Sequence, residues 1–142
     1  MDNLKIKFKK LNPNAVIPSR KTTGAAGFDL TAVSIEKNET MLKYDTGIAV
    51  EIPPGYVGLV FPRSSVCKTG LFLANSVGVI DSDYRGSISF VFYKPAVCIV
   101  PYLPGDRIGQ LVIVPIPEVE FVEVDDLSET ERGAGGYGST GK

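Results

Sequence analysis

Much of this chain alternates between apolar and polar residues with a period of two. Leu4-Lys5-Ile6-Lys7-Phe8-Lys9 places apolar side chains on one face and lysines on the other, which predicts a strand with its apolar face turned inward. Gly47 to Ile52 and Tyr56 to Phe61 predict two strands flanking the turn signal Pro53-Pro54-Gly55. Ser87 to Tyr93 reads SISFVFY, with Ile88, Phe90 and Phe92 on one face. Val97 to Val100, Ile108 to Val114 and Val119 to Val124 complete the predicted set. Helical periodicity is nearly absent. One short helix fits Ser64 to Thr69, capped by Ser64 or Ser65 and ended by Gly70. Many short strands between regular turns predict an all-β sandwich or barrel.

The last stretch breaks this pattern. EVDDLSETE is acidic and polar, a solvated connector, and RGAGGYGSTGK is rich in glycine. This shift in composition predicts a β domain over residues 1–126 and a tether with a flexible tail over 127–142, long enough to reach a neighbouring subunit.

Composition narrows the chemistry. The chain has 142 residues, the size of one domain. A net charge of −1 supplies no basic field for a polyanion, so nucleic acid is not an expected partner. No run approaches the ~18 apolar residues of a membrane span. MDNLKIKFKK lacks the apolar core of a signal peptide, and a cytoplasmic location is expected. There is no histidine, which excludes a Ser-His-Asp triad and leaves carboxylates as the best available bases. Cys67 and Cys98 are too few for a zinc cluster. They read as reduced thiols in or near the core, with a disulfide between them left open.

Four stretches carry charge or amide groups where a β core would exclude them. GAAGFDLTA places Asp29 at an apolar strand start, and its plainer reading is an Asx turn. FPRSSVCKTG offers Arg63, two hydroxyls and the N–H groups of a helix start, the ingredients of a phosphate cradle or of an ordinary serine cap. GVIDSDYRG holds Asp81, Asp83 and Arg85 in what could be a surface hairpin, or a carboxylate acting as base toward water. LPGDRIGQLVI sets Asp106 and Arg107 before a strand that contains Gln110, an amide that wants partners if half-buried.

Singly these are ambiguous. Taken in order with the tail, they form the series GAAGFDL, PRSS, GVIDSDYRG, GDRIGQL and RGAGGYGSTG, which resembles the five ordered motifs of the homotrimeric dUTPases across residues 24–141. The resemblance implies a distorted jelly-roll (β-clip) fold and a homotrimer with active sites at subunit interfaces. It implies hydrolysis of dUTP at the α-phosphorus to dUMP and pyrophosphate, with Mg²⁺ riding on the triphosphate. It assigns Asp81 to orient and deprotonate the attacking water. Tyr84 packs under the deoxyribose and leaves no room for a 2′-hydroxyl. Asn75 reads the uracil edge together with Gly78, Val79 and Ile80, and Ser89 belongs to the same binding set. Ser64 lies at the α–β phosphate bridge, flanked by Arg63 and Ser65, and Gln110 lies near the α-phosphate. Asp29 supports the outer shell of the metal or a phosphate-binding arginine. In the tail, Arg132 pairs with the γ-phosphate, Tyr137 stacks on uracil, and Gly138, Ser139 and Thr140 wrap the phosphates. The tail would be mobile when empty and ordered as a lid.

Three positions depart from the usual pattern of that family. Ser65 stands where glycine is common, Tyr137 where phenylalanine is usual, and Gly109 where alanine is common, the last expected to be neutral. The nearest alternative is dCTP deaminase, which shares the fold and an Arg-Ser-Ser motif. It needs a glutamate in the strand after the third motif, where Val91 stands, and no carboxylate occurs from Ser87 to Ile99. A nucleotide-switched binding module on the same fold is a further alternative.

Overall fold

The computed structural model describes residues 3–95 and 99–141. It contains ten strands and one short 3₁₀ turn among them. In chain order the strands are β1 (Lys7–Lys10), β2 (Phe28–Thr31), β3 (Ser34–Lys37), β4 (Met41–Asp45), β5 (Ile48–Glu51), β6 (Tyr56–Phe61), β7 (Phe72–Leu73), β8 (Gly78–Ile80), β9 (Ser89–Tyr93) and β10 (Arg107–Pro115). They form two four-stranded sheets, ordered β2-β10-β6-β8 and β3-β4-β9-β7, and a two-stranded ribbon β1-β5. All pairings are antiparallel. The fold is all-β, as the alternation predicts, and jelly-roll-like, as the resemblance implies.

The inner faces of both sheets meet in one cluster. Leu30, Val60, Ile108 and Leu111 come from the first sheet, and Leu42, Tyr44, Phe90 and Phe92 from the second. Tyr44 is opposite Phe90 and Leu42 opposite Phe92 in register. Ile88, Phe90 and Phe92 are buried as their spacing predicts. Tyr44, Phe92 and Tyr102 pack edge-on or tilted, and the buried Tyr44 hydroxyl donates to the Tyr102 carbonyl at 2.8 Å. Burial of that phenol, reinforced by Asp106 and Tyr102, pushes its pKa up to about 12.

Several expectations are corrected. Val119–Val124 forms no strand: regular structure ends at Pro115, and Phe121 is 99% exposed. The N-terminal alternation gives only β1, and its Phe8 stays 43% exposed beside Ile6, Ile17 and Phe28. The helix is a 3₁₀ turn over Ser64–Lys68, whose N-cap position is Arg63 without a side-chain cap, so neither serine caps it. It ends at Lys68 with Thr69 as C-cap, and Gly70 follows in the left-handed φ of 74° that suits glycine. Cys67 is exposed rather than packed in the core. Val97 and Cys98, half of the predicted Val97–Val100 strand, lie outside the described residues, and Ile99 and Val100 are in no strand.

Gly109 is not a neutral departure. A Cβ there would overlap the Phe90 ring and lie 2.8 Å from the Phe61 carbonyl oxygen. The glycine and the bulky Phe90 are fitted to each other. Ser65, by contrast, sits within the 3₁₀ turn and is absent from the positive-φ positions, so it needs no glycine.

Candidate active site

Strand register assembles the first cluster. Gln110 on β10 lies between Asp29 on β2 and Phe61 at the end of β6. On a regular strand residues three apart face opposite sides. Here Ile108 and Leu111 both enter the core, because β10 shifts register against β2 between Arg107 and Gly109. The irregularity puts Arg107 and Gln110 together on the other side. Arg107 Nη1 then donates to Asp29 Oδ2 at 2.8 Å. The other oxygen of Asp29 faces Arg63 Nε at 3.4 Å. Both groups are partly shielded, the Asp29 side chain being 16% exposed. Asp29 is therefore a carboxylate holding two guanidinium groups, not an Asx turn.

Gln110 finds its partner in the Pro62 carbonyl, to which Nε2 donates at 3.2 Å. Gly27 makes room for it, since a Cβ there would overlap the Gln110 amide. Arg63 Nη1 lies 3.4 Å from Ser65 Oγ, which shares a 3.0 Å hydrogen bond with the Tyr102 hydroxyl. Ser64 is exposed beside them. Two arginines, two hydroxyls and an amide on one edge can hold a chain of phosphates.

The second cluster follows β7. Asn75 and Ser76 make the turn into β8, with Ser76 at φ 60° and the Val77 N–H donating to the Asn75 carbonyl at 2.6 Å. Gly78 packs so closely on β6 that a Cβ would overlap Val60. Beyond β8, Asp81 is exposed at the start of a turn closed by Tyr84 N–H to Asp81 carbonyl at 3.1 Å. Val79, Ile80, Asp81, Tyr84, Ser87, Ile88 and Ser89 line a cleft of about 130 Å³. The Tyr84 hydroxyl donates to the Ser87 carbonyl at 3.0 Å. Gly86 permits that ring position, since a Cβ there would overlap the tyrosine hydroxyl.

The third cluster is the tail. Arg132 Nε donates to the Gly135 carbonyl at 2.9 Å, and Tyr137 is fully exposed at φ 52°. Ser139 donates its N–H to the Gly136 carbonyl at 3.1 Å. The tail is coiled on itself, and Gly138, Ser139 and Thr140 are exposed.

These clusters are not one pocket. Gly58 pairs with Ile80 and Val60 with Gly78, so Asp81 lies beyond the N-terminal half of β6. Arg63 lies past the C-terminal end of the same strand. At about 3.3 Å per residue the two are separated by roughly 15–20 Å along the sheet. Arg107 and Tyr102 were given no role by the sequence, although Arg107 stands inside a motif. Only the register irregularity of β10 reveals its partner.

The dUTPase family model matches residues 13–141. The deoxyuridine 5′-triphosphate nucleotidohydrolase of Nautilia profundicola is 45% identical, covering 98% of this chain and 100% of the relative. That of Wolinella succinogenes is 41% identical over 100% of this chain and 97% of its own. The dUTPase of Staphylococcus bacteriophage 80alpha, solved with dUpNHpp, superposes with a TM-score of 0.83 at 31% identity, covering 99% of this chain and 100% of that one. A point mutant of the dUTPase from phage phi11 of S. aureus, whose structure concerns coordination of a structural Mg(II) ion, superposes with a TM-score of 0.75 at 26% identity over 89% of this chain and 100% of its own. On the family model and on relatives matched end to end, the chain belongs to the dUTPase family.

Proposed function

We propose that this dUTP nucleotidohydrolase works as a homotrimer in which each site is assembled from clusters on different chains. It splits dUTP into dUMP and pyrophosphate. The observation that carries the trimeric reading is the separation of the Arg63–Asp29–Gln110 edge from the Asp81–Tyr84 cleft at opposite ends of β6. Neither cluster alone could hold both the uridine and the phosphates. The exposed Ile116, Val119, Phe121 and Val122 of the segment after β10 support a neighbour that covers them. Residues 127–142 then serve as tether and lid, within reach of an adjacent chain.

In this reading Asp81 is the base. Its exposed carboxylate follows the strand that lines the cleft and takes a proton from the attacking water. Tyr84 forms the floor under the deoxyribose, and Asn75 with the β8 backbone reads the uracil. A pocket that hydrogen-bonds the uracil edge rejects cytosine because buried polar groups would be left unpaired. Arg63, Ser64, Ser65 and Gln110 hold the phosphates. The lid brings Arg132 to the γ-phosphate and Tyr137 over the base, and Gly138, Ser139 and Thr140 close on the phosphate oxygens. Closure excludes water other than the nucleophile.

dUTPases are in general Mg²⁺-dependent. Among the described residues no group of three or more acidic or cysteine side chains is gathered, and both Asp29 oxygens face arginines. This donor set fits an ion that arrives on the triphosphate as Mg²⁺–dUTP and keeps its waters. Bound there, the ion neutralises phosphate charge. Asp29 is assigned to orienting Arg63 and Arg107 rather than to the ion's outer shell. Among the described residues no helix is long and apolar enough to cross a membrane, and we place the enzyme in the cytoplasm with its nucleotide substrate.

The test is pyrophosphate release from dUTP, dTTP, dCTP and UTP, with ammonia release from dCTP as a control. Only dUTP should turn over efficiently, and Asp81→Asn should lose orders of magnitude while still binding a non-hydrolysable dUTP analogue. Deamination of dCTP, or near wild-type hydrolysis by Asp81→Asn, would overturn the reading.

A further inference from the structure

One side-chain chain leads away from Tyr84 into a part of the fold that the site does not otherwise use. The Tyr84 hydroxyl donates to the Ser87 carbonyl at 3.0 Å. The Ser87 hydroxyl in turn donates to Asp45 Oδ1, and the Gly47 N–H donates to the same oxygen at 3.1 Å. Asp45 ends β4, two residues before Gly47, whose φ of 65° turns the chain into β5. The next residue of each segment is also joined. The fully buried Thr46 donates through its hydroxyl to the Ile88 carbonyl at 2.6 Å and through its N–H at 3.1 Å. Ile88 N–H donates to Ile48 carbonyl at 2.8 Å. The β4–β5 turn is thus a buried bracket behind residues 87 and 88, and Asp45 is its only carboxylate.

The ring that this bracket holds is otherwise loosely kept. Tyr84 is 43% exposed and forms a wall between the 130 Å³ cleft beside Asp81 and a polar recess of about 270 Å³ lined by Ser34, Glu36, Lys43 and Asp45. Arg85 fixes the loop backbone, donating to the Ser82 carbonyl at 2.6 Å and the Tyr84 carbonyl at 3.1 Å. That leaves the ring torsions free. The hydroxyl bond to Ser87, with Gly86 giving it space, sets them.

We infer that Asp45 is a positioning residue for sugar selection: through Ser87 it fixes the pose of the Tyr84 ring and so the space left at the 2′ carbon of the nucleotide. This rests on the assignment of Tyr84 as the sugar floor. Exclusion of one hydroxyl depends on ring placement at the sub-ångström scale, where small displacements have large kinetic effects. Loss of the Asp45 carboxylate frees the Ser87 hydroxyl, leaves the Ser87–Ile88 peptide held from the Ile88 side alone, and lets the ring shift toward the polar recess. UTP gains entry, while the water-activating carboxylate of Asp81 is untouched.

The experiment compares kcat/KM for dUTP and UTP in the full-length enzyme. Asp45→Ala should lower the dUTP-to-UTP ratio about tenfold, mainly through faster UTP hydrolysis. Asp45→Asn keeps an acceptor oxygen for both donors and should restore most of the ratio. Ser87→Ala, which leaves the Gly47 bond in place, should shift it like Asp45→Ala. Tyr84→Phe should do the same, and the Asp45→Ala/Tyr84→Phe double variant should be no worse than either single one. A ratio unchanged in Asp45→Ala and Ser87→Ala while Tyr84→Ala collapses it would overturn the inference alone, as would equal losses on both substrates. A ratio unchanged even in Tyr84→Ala would remove the sugar-floor assignment and the inference with it.

Discussion

At the scale of single residues, two side chains with ordinary identities are given unusual work by their surroundings. Asp29 carries two arginines on its two oxygens, so what reads as a turn former is the anchor of Arg63 and Arg107. Tyr44 is a core ring whose hydroxyl must be paired because no water reaches it. With its pKa raised from the usual 10.0 to about 12, the unfolded chain loses this proton first. Folding stability should therefore be fully present below pH 10 and fall as pH rises toward 12, by about 2–3 kcal/mol for a shift of this size. Urea unfolding of the wild type and of Tyr44→Phe across pH 8 to 11.5 checks it. The loss should be smaller in the phenylalanine variant, and identical profiles would contradict the raised pKa.

At the scale of elements, the sequence was legible where one chain supplies both the pattern and its partner. β6 and β10 run over the stretches their apolar residues marked, and SISFVFY buries the three predicted residues. Val119 to Val124 reads VEFVEV, two alternating triplets that slip phase between Phe121 and Val122, and forms no strand. Period two specifies a face, not the neighbour that covers it, and here no strand of the same chain is supplied to it. The motifs were likewise readable as residues but not as geometry. Arg107 reaches Asp29 only because β10 slips register, an event with no mark of its own in the sequence beyond Gly109. That glycine also meets Phe90, so Gly109→Ala should destabilise by about 1–3 kcal/mol through overpacking. Denaturant melts should show Phe90→Leu recovering part of this loss in the double variant, and additive losses would disprove the proposed fit. The tail is the element with fewest ties, its described hydrogen bonds being local. Deleting residues 132–142 should leave melting temperature and assembly mass unchanged while turnover collapses. Full activity after truncation would remove the lid.

At the scale of the whole molecule, the Arg63 and Asp81 clusters are separated within one chain. The Arg63 edge and the Asp81 cleft occupy opposite ends of one strand, and the described hydrogen bonds of the tail stay within residues 130–141. The proposed symmetric assembly would solve this without moving any strand, because a neighbour would bring its cleft against the edge of the first chain. The claim has a direct measurement. Asp81→Asn and Arg63→Ala chains, each inactive as a homotrimer, are mixed in equal amounts, unfolded and refolded together. If the clusters of one site come from different chains, about one site in four pairs an intact Asp81 with an intact Arg63, and dUTP hydrolysis returns to roughly a quarter of the wild-type rate. If each site is built within one chain, every site carries a defect, and activity in the mixture no higher than that of its parents would contradict the account.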